Sequence, residues 1–400
     1  MAAYTLSHTG EDVDAAISAV AIGAIGAGAV SKGFNAVAFG PYAGAHDNCA
    51  VSIGYYANAY SPNAIACGTF ARAADNGAVA VGSYANAYSA NAIAIGTRAG
   101  ALSANTVAIG SDTNAAAEAV AIGYGANANG VYSFSAGKSS KALSANGVAI
   151  GYNANAAAVG SVAIGGYAQT YGSSAIAVGQ QADAYGSSAA AVGANAYAGS
   201  SAAAFGYSAN AVGDNAAAIG SYSKAAGSNS TALGNLANAG ASQNCTAIGC
   251  RADAGNTANS TAVGYNALAY NSECMALGYS ANAWSPHALA IGANAKANGT
   301  SPLAVGNSAL ADSGIAMGYN ANAFGSNSVV IGSNAKSAYS DAIVIGNGLA
   351  SGRNFEVVFG SASNLRFIAG VKDPALPSDA ATKAYVDQAI NNLRNELTGA

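Results

Sequence analysis

Apolar and polar residues alternate along this 400-residue chain in short bursts, each closed by a glycine. In AIAIGTRAGALSAN, residues 92–105, Ile93 and Ile95 stand two apart, Gly96 closes the burst, and Ala99 and Ala101 stand two apart beyond it. A period of two belongs to extended backbone, where alternate side chains share a face. Each burst therefore predicts two short strands and two corners. Gly96 makes one corner, tight enough to crowd a side chain. The other is commonly Asn or Ser, as at Asn63, Asn91, Asn105, Ser174, Ser188, Asn215 and Asn327, residues that tolerate left-handed backbone and bond their own turn.

The closing glycine recurs from Gly40 to Gly360 in 23 steps over 320 residues, a mean of 13.9. Self-similarity at a fixed period marks a solenoid, and fourteen residues are too few for a helical hairpin repeat. The expected fold is all-β, a parallel β-roll solenoid of ~14-residue coils over residues 21–350. In this reading Ile93 and Ile95 point into the roll with Ala99 and Ala101. Ala92 and Ala94, with their counterparts Ala64 and Ala66, then face outward as a small-residue surface. About four inward residues per coil, two of them alanine, make too thin a core to offset the backbone entropy of fourteen ordered residues. Side-by-side association of identical rolls is therefore expected. At about 4.7–4.9 Å per coil the rod would be on the order of 110 Å long.

Both ends change character. Thr9 and Asp12 read as a capping box ahead of Val13, Ile17 and Val20, predicting a short helix within an attachment segment at residues 1–20. Residues 351–377 read as a neck. Beyond Pro374 and Pro377, Ser378 is the expected cap of a helix over residues 378–400, where Val386, Ile390, Leu393 and Leu397 follow at four, three and four. That spacing is a coiled-coil seam and the expected element of association between chains; the other reading packs the helix on its own rod.

Composition narrows the classes. Charged residues are 8% and hydrophobic ones 52%, unlike a disordered chain. Six prolines exclude collagen. A net charge of −4, thinly spread, offers no broad nucleic-acid surface. No uninterrupted apolar stretch predicts a membrane span. Glu11, Asp12 and Asp14 precede the first apolar run with no Lys or Arg, so no secretory signal is expected.

The stretch NAIAIGTRAGALSANTVAIG, residues 91–110, resembles the head repeat of the YadA-like trimeric autotransporter adhesins. The resemblance covers roughly residues 20–350 and implies a left-handed parallel β-roll and a homotrimer. Residues 372–387, KDPALPSDAATKAYVD, resemble a connector of bacteriophage fibre proteins, and residues 6–14, LSHTGEDVD, resemble phage fibre N-termini. Nothing after Leu397 reads as membrane-spanning strands. Together these imply a virion fibre, tail or head, with a virion structural protein as partner at one terminus. A bacterial surface adhesin is the alternative.

Candidate chemistry is sparse. Residues 15–350 hold 19 charged residues, and His8, His46 and His287 lie far apart with no acidic or Cys neighbour at ligand spacing. No catalytic group, metal site or cofactor is expected. Gly23, Gly26 and Gly28 do not match a dinucleotide fingerprint and read as a slipped first coil. Cys67 replaces an inward Ile or Val and reads as core. A bridge between Cys245 and Cys250 is conceivable, but the odd count of five, with Cys49 and Cys274, favours free thiols. The sequons at Asn229, Asn244 and Asn259 coincide with the Asn corner.

One pattern points to recognition. The sixth position after the corner glycine is predicted outward and is aromatic at Tyr60, Tyr88, Tyr171, Tyr185, Tyr270, Trp284 and Phe324, with Asn58, Asn86, Asn282 and Asn322 two residues before four of them. Tyr171, Tyr185, Tyr270, Trp284 and Phe324 are the candidate surface-binding residues for a host cell-surface glycan or protein. The other reading has these rings cover a corner or pack on a neighbouring subunit. The expected function is thus a trimeric fibre that attaches to a host surface. A spacer or capsid decoration without receptor binding is the alternative.

Overall fold

The computed structural model describes residues 23–255, 257–363 and 365–398. Each coil carries a three-residue strand, a glycine corner, a two-residue strand and a second corner. In the coil around Gly96 these strands are Ile93–Ile95 and Gly100–Ala101. Ile93–Ile95 pairs in parallel with Val79–Val81 before it and Val107–Ile109 after it, residue on residue. The same pairing carries one long sheet from Val37–Phe39 to Val357–Val358. Beyond its first strand lies only a single bridge, Ile25 to Phe39, and its last strand pairs only inward, so the sheet is an open ladder along the rod.

Both corners rest on left-handed backbone. Corner glycines from Gly26 to Gly346 have φ between 124° and 145°, a region that side chains disfavour. At the second corner Asn63, Asn91, Asn105, Ser174, Ser188, Asn215 and Asn327 all have φ of 55–57°. Gly26 lies fourteen residues before Gly40 and Ile25 bridges Phe39, so the first glycines form a coil in register rather than a slipped one.

The direction of the long strand is the reverse of the sequence expectation. Ala92 and Ala94 are fully buried, as are Ala64 and Ala66, while Ile93 is half-buried and Ile95 is 38% exposed. Ala99 and Ala101 point inward as expected. The interior is thus four alanines per coil where the sequence reading had two. Volume decides the phase: corners this short hold the sheets too close for a second row of Ile and Val. Val330 and Val344, near the C-terminal end of the rod, are the largest fully buried side chains. Where Ser or Thr replaces an inward Ala, most hydroxyls bond within the roll, as Ser52 Oγ does to the Ala57 carbonyl at 2.6 Å, while Ser133 Oγ has no partner. Cys67 shares the reversal: it stands on the outward, half-buried phase beside Ile53 and Val81. Cys245 and Cys274 take the inward alanine position.

The two-residue strands form a second sheet from Val30–Ser31 to Lys224–Ala225 and a third from Leu268–Ala269 to Lys336–Ser337. Between them only single bridges persist, through Asn238 and Asp253. The break coincides with two fifteen-residue coils, Gly234 to Gly249 and Gly249 to Gly264. The C-terminal helix is Lys383–Thr398. Its cap is Thr382, whose Oγ1 accepts the Tyr385 N–H at 3.1 Å, and not Ser378. Asp379 instead accepts the Ala375 and Leu376 N–H groups, which hold its carboxyl below the usual range. The predicted N-terminal helix lies outside the described residues. Among the described residues no helix is long and apolar enough to cross a membrane.

Candidate assembly and binding surfaces

Reversal of the long strand puts the large aliphatic residues outside. Ile53, Ile95, Ile109, Ile150, Ile219 and Ile345 are all exposed on the same face, with a second, half-buried row of Val, Ile and Leu beside them. A contiguous apolar strip running the length of a rod far exceeds the few hundred Å² a solitary soluble chain exposes. This face is built for a partner.

The opposite, short-strand face carries the sixth-position aromatics. All five candidates are exposed in the chain: Tyr171, Tyr185, Tyr270, Trp284 and Phe324. Tyr171 and Tyr185 sit 5.5 Å apart at 51°, and Tyr270 and Trp284 4.7 Å apart at 44°. Tyr60 stacks on His46 at 5.1 Å, and Arg72 bridges from Tyr60 to Tyr88, its guanidinium 5.4 and 5.3 Å from their rings. The preceding asparagines partly serve the fold: Asn58 and Asn86 donate to the Tyr56 and Tyr84 carbonyls at 2.8 Å. Asn282 Oδ1 is buried without a hydrogen-bond partner.

A second aromatic column escaped the sequence reading. Tyr42, Tyr56, Phe70 and Tyr84 stack face to face at 4.6, 5.5 and 5.0 Å beside the glycine corner. All four have left-handed φ, 52–58°. The signal was present two residues after each glycine, at fourteen-residue spacing. Because the rings lie along the rod, they cover each other's faces and present edges.

The model of the YadA head domain repeat matches this chain ten times, at residues 59–85, 73–99, 87–113, 115–140, 142–168, 198–223, 211–237, 275–295, 285–309 and 309–335, together more than half of it. The chain belongs to the YadA head repeat family. Among solved structures, the collagen-binding domain of the Yersinia adhesin YadA is 24% identical, over 56% of this chain and 86% of that one, with a TM-score of 0.18. No curated protein matches the chain at a significant level.

Beyond the YadA head coils, Val386, Ile390, Leu393 and Leu397 are exposed on the C-terminal helix. Titratable groups on the roll are few, but the sequence reading of His287 needs correction. His287 does have an acidic neighbour: its Nδ1 lies 3.0 Å from Glu273 Oε2, one coil away, an approach that linear spacing hid. Arg98 likewise pairs with Asp112 across one coil, Nε to Oδ1 at 2.5 Å and Nη2 to Oδ2 at 3.1 Å, which holds the Asp112 carboxyl below its usual range. Asp183 is the opposite case, pushed up by burial among Gln169, Tyr197 and their neighbours. The five cysteines are free thiols, and burial pushes the Cys274 thiol up. Among the described residues no group of His, Cys, Asp and Glu could hold a metal. At the second corner Asn215, Asn229, Asn244 and Asn259 form an amide ladder, with links of 3.4, 3.4 and 3.0 Å, so the sequon asparagines serve the turn.

Proposed function

We propose that this chain is the shaft of a homotrimeric, non-enzymatic adhesive fibre. The observation that carries the reading is the pairing of a mostly alanine interior with exposed aliphatic residues along the long-strand face. Three rolls placed with these strips toward a common axis bury them and complete the core each roll lacks. The exposed helix residues Val386, Ile390, Leu393 and Leu397 would zip the three chains at one end. The short-strand face then points to solvent, with Tyr171, Tyr185, Tyr270, Trp284 and Phe324 repeated on three sides. Weak patches presented three times gain by avidity, so individually modest contacts suffice for attachment to a cell-surface glycan or protein.

The likeness of residues 372–387 and 6–14 to phage fibre segments supports a virion as the body that carries the fibre, held through one terminus. Membership of the YadA head family supports the second reading, a bacterial surface adhesin. Purified particles and cell-envelope fractions from the source, probed with an antibody to the rod, separate the two. Attachment itself is tested by binding of the purified chain to host cells. Trp284→Ala combined with Tyr270→Ala should weaken it at least tenfold, and a rod that binds no cells at all would reduce the protein to a spacer.

A further inference from the structure

A groove lies where the third sheet begins. It has a volume of about 210 Å³ and is lined by Arg251, Asp253, Asn266, Leu268, Ser280 and Asn282 among others. It runs from the coil of the single bridge at Asp253 over the next two coils, which carry the regular short strands Leu268–Ala269 and Asn282–Ala283. The polar groups around it are left open for a ligand. Asp253 Oδ1 accepts from Asn238 Nδ2 at 3.1 Å and from the Gly255 N–H at 2.8 Å, leaving Oδ2 with no hydrogen bond among the described residues. Arg251 makes no ion pair among them. Asn282 Oδ1, on the groove wall, is buried without a partner, as are the Oδ1 atoms of Asn127, Asn155, Asp183 and Asn210 at the same strand position, so it belongs to the repeat and not to the groove.

Aromatic pairs flank the coils that form the groove. Tyr265 and Tyr279 stack at 5.3 Å beside the glycine corner, and Tyr270 and Trp284 stand at the other end of the same short strands. The coil before Tyr270 has Gly255 at the equivalent position, so no side chain there covers the Tyr270 ring on that side. From the coil of Arg251 to that of Ser280 the groove spans roughly 10 Å, two coil spacings.

We propose that this groove binds a short segment of a neutral glycan. Sugar hydroxyls donate to Asp253 Oδ2 and accept from Arg251, Asn266 and Ser280, while the apolar face of a hexose lies on Tyr270 and Trp284. Asp253 beside Arg251 leaves the groove without net charge, which suits hydroxyls over a carboxylate or sulfate. This inference names a ligand class for part of the surface proposed above and rests on that reading.

Trp284 is the only tryptophan, so its fluorescence reports on this site alone. Full-length protein is titrated with neutral tetrasaccharides ending in glucose, galactose or mannose, and with sialylated and sulfated counterparts. A saturable shift with at least one neutral sugar is expected. Ser280→Tyr fills the groove without straining the fold, since Tyr56 and Tyr84 hold the same left-handed position in other coils, and it should weaken binding at least tenfold. Arg251→Ser should weaken it similarly, with circular dichroism unchanged, since Ser208 and Ser280 hold the same left-handed corner position. No shift with any neutral sugar, a shift with acidic sugars only, or equal affinity in Ser280→Tyr overturns the proposal. Host-cell binding that survives without a sugar response sinks this inference alone; a sugar response without host-cell binding sinks the attachment function instead.

Discussion

A Cβ placed on Gly82 would lie 2.5 Å from the carbonyl oxygen of Gly96, one coil further on. The backbone there has φ 133°, which side chains rarely adopt. Strain and clash add at one atom, and the contact is with backbone that cannot move aside. Gly82→Ala should therefore destabilise the rod by about 1–3 kcal/mol or more. Gly125 is the control: its φ is 64° and the nearest atom to a Cβ is Ser139 Oγ at 3.7 Å. Asn153 holds the equivalent corner position, so Gly125→Asn should melt within a degree or two of the parent in a thermal scan.

Strand phase is tested by one residue pair. Ala94 is fully buried and Ile95 exposed. Ala94→Leu should overpack the roll and cost about 1–3 kcal/mol, whereas Ile95→Leu should leave the melting temperature nearly unchanged. Ile95→Asp should shift sedimentation toward smaller species, because it places charge on the aliphatic strip. Had the isoleucines pointed inward, Ala94→Leu would be the tolerated change.

Asp183 gives the rod a specific pH response. Burial raises its carboxyl pKa in the folded chain above the ordinary value of 3.8. As pH rises the unfolded chain loses this proton first, so stability is full below the unfolded pKa and falls as pH climbs through the folded one. Asn155 and Asn210 occupy equivalent strand positions, so Asp183→Asn should fit. It should melt above the parent at pH 7 and level with it at pH 3. The gain should stay below about 1 kcal/mol, since the group is part-exposed and solvent screens it. An equal gain at both pH values would assign it to packing instead.

Much of this was legible in the chain. The glycine period fixed coil length and strand pairing, because a parallel solenoid stacks each repeat on the next. The second corner was readable from Asn and Ser, whose side chains suit left-handed φ. Strand direction was not: alternation offers two phases, and hydrophobicity favours Ile95 inside, while the narrow interior admits only Ala94. Cross-coil partners such as Glu273 and His287 were hidden by a separation of fourteen residues. The Tyr270 and Trp284 pair was foreseeable from its spacing. The groove beside it was not, since its lining comes from three successive coils that lie fourteen or fifteen residues apart in the chain.

An alanine-filled roll completed by identical neighbours is the claim on which the rest depends. Sedimentation equilibrium of the full-length chain in native buffer tests it most directly. The account predicts a single species of three times 38.4 kDa, with strand-rich circular dichroism lost together with the assembly on dilution or heating. A folded, strand-rich particle of 38.4 kDa that stays monomeric at high concentration would contradict it.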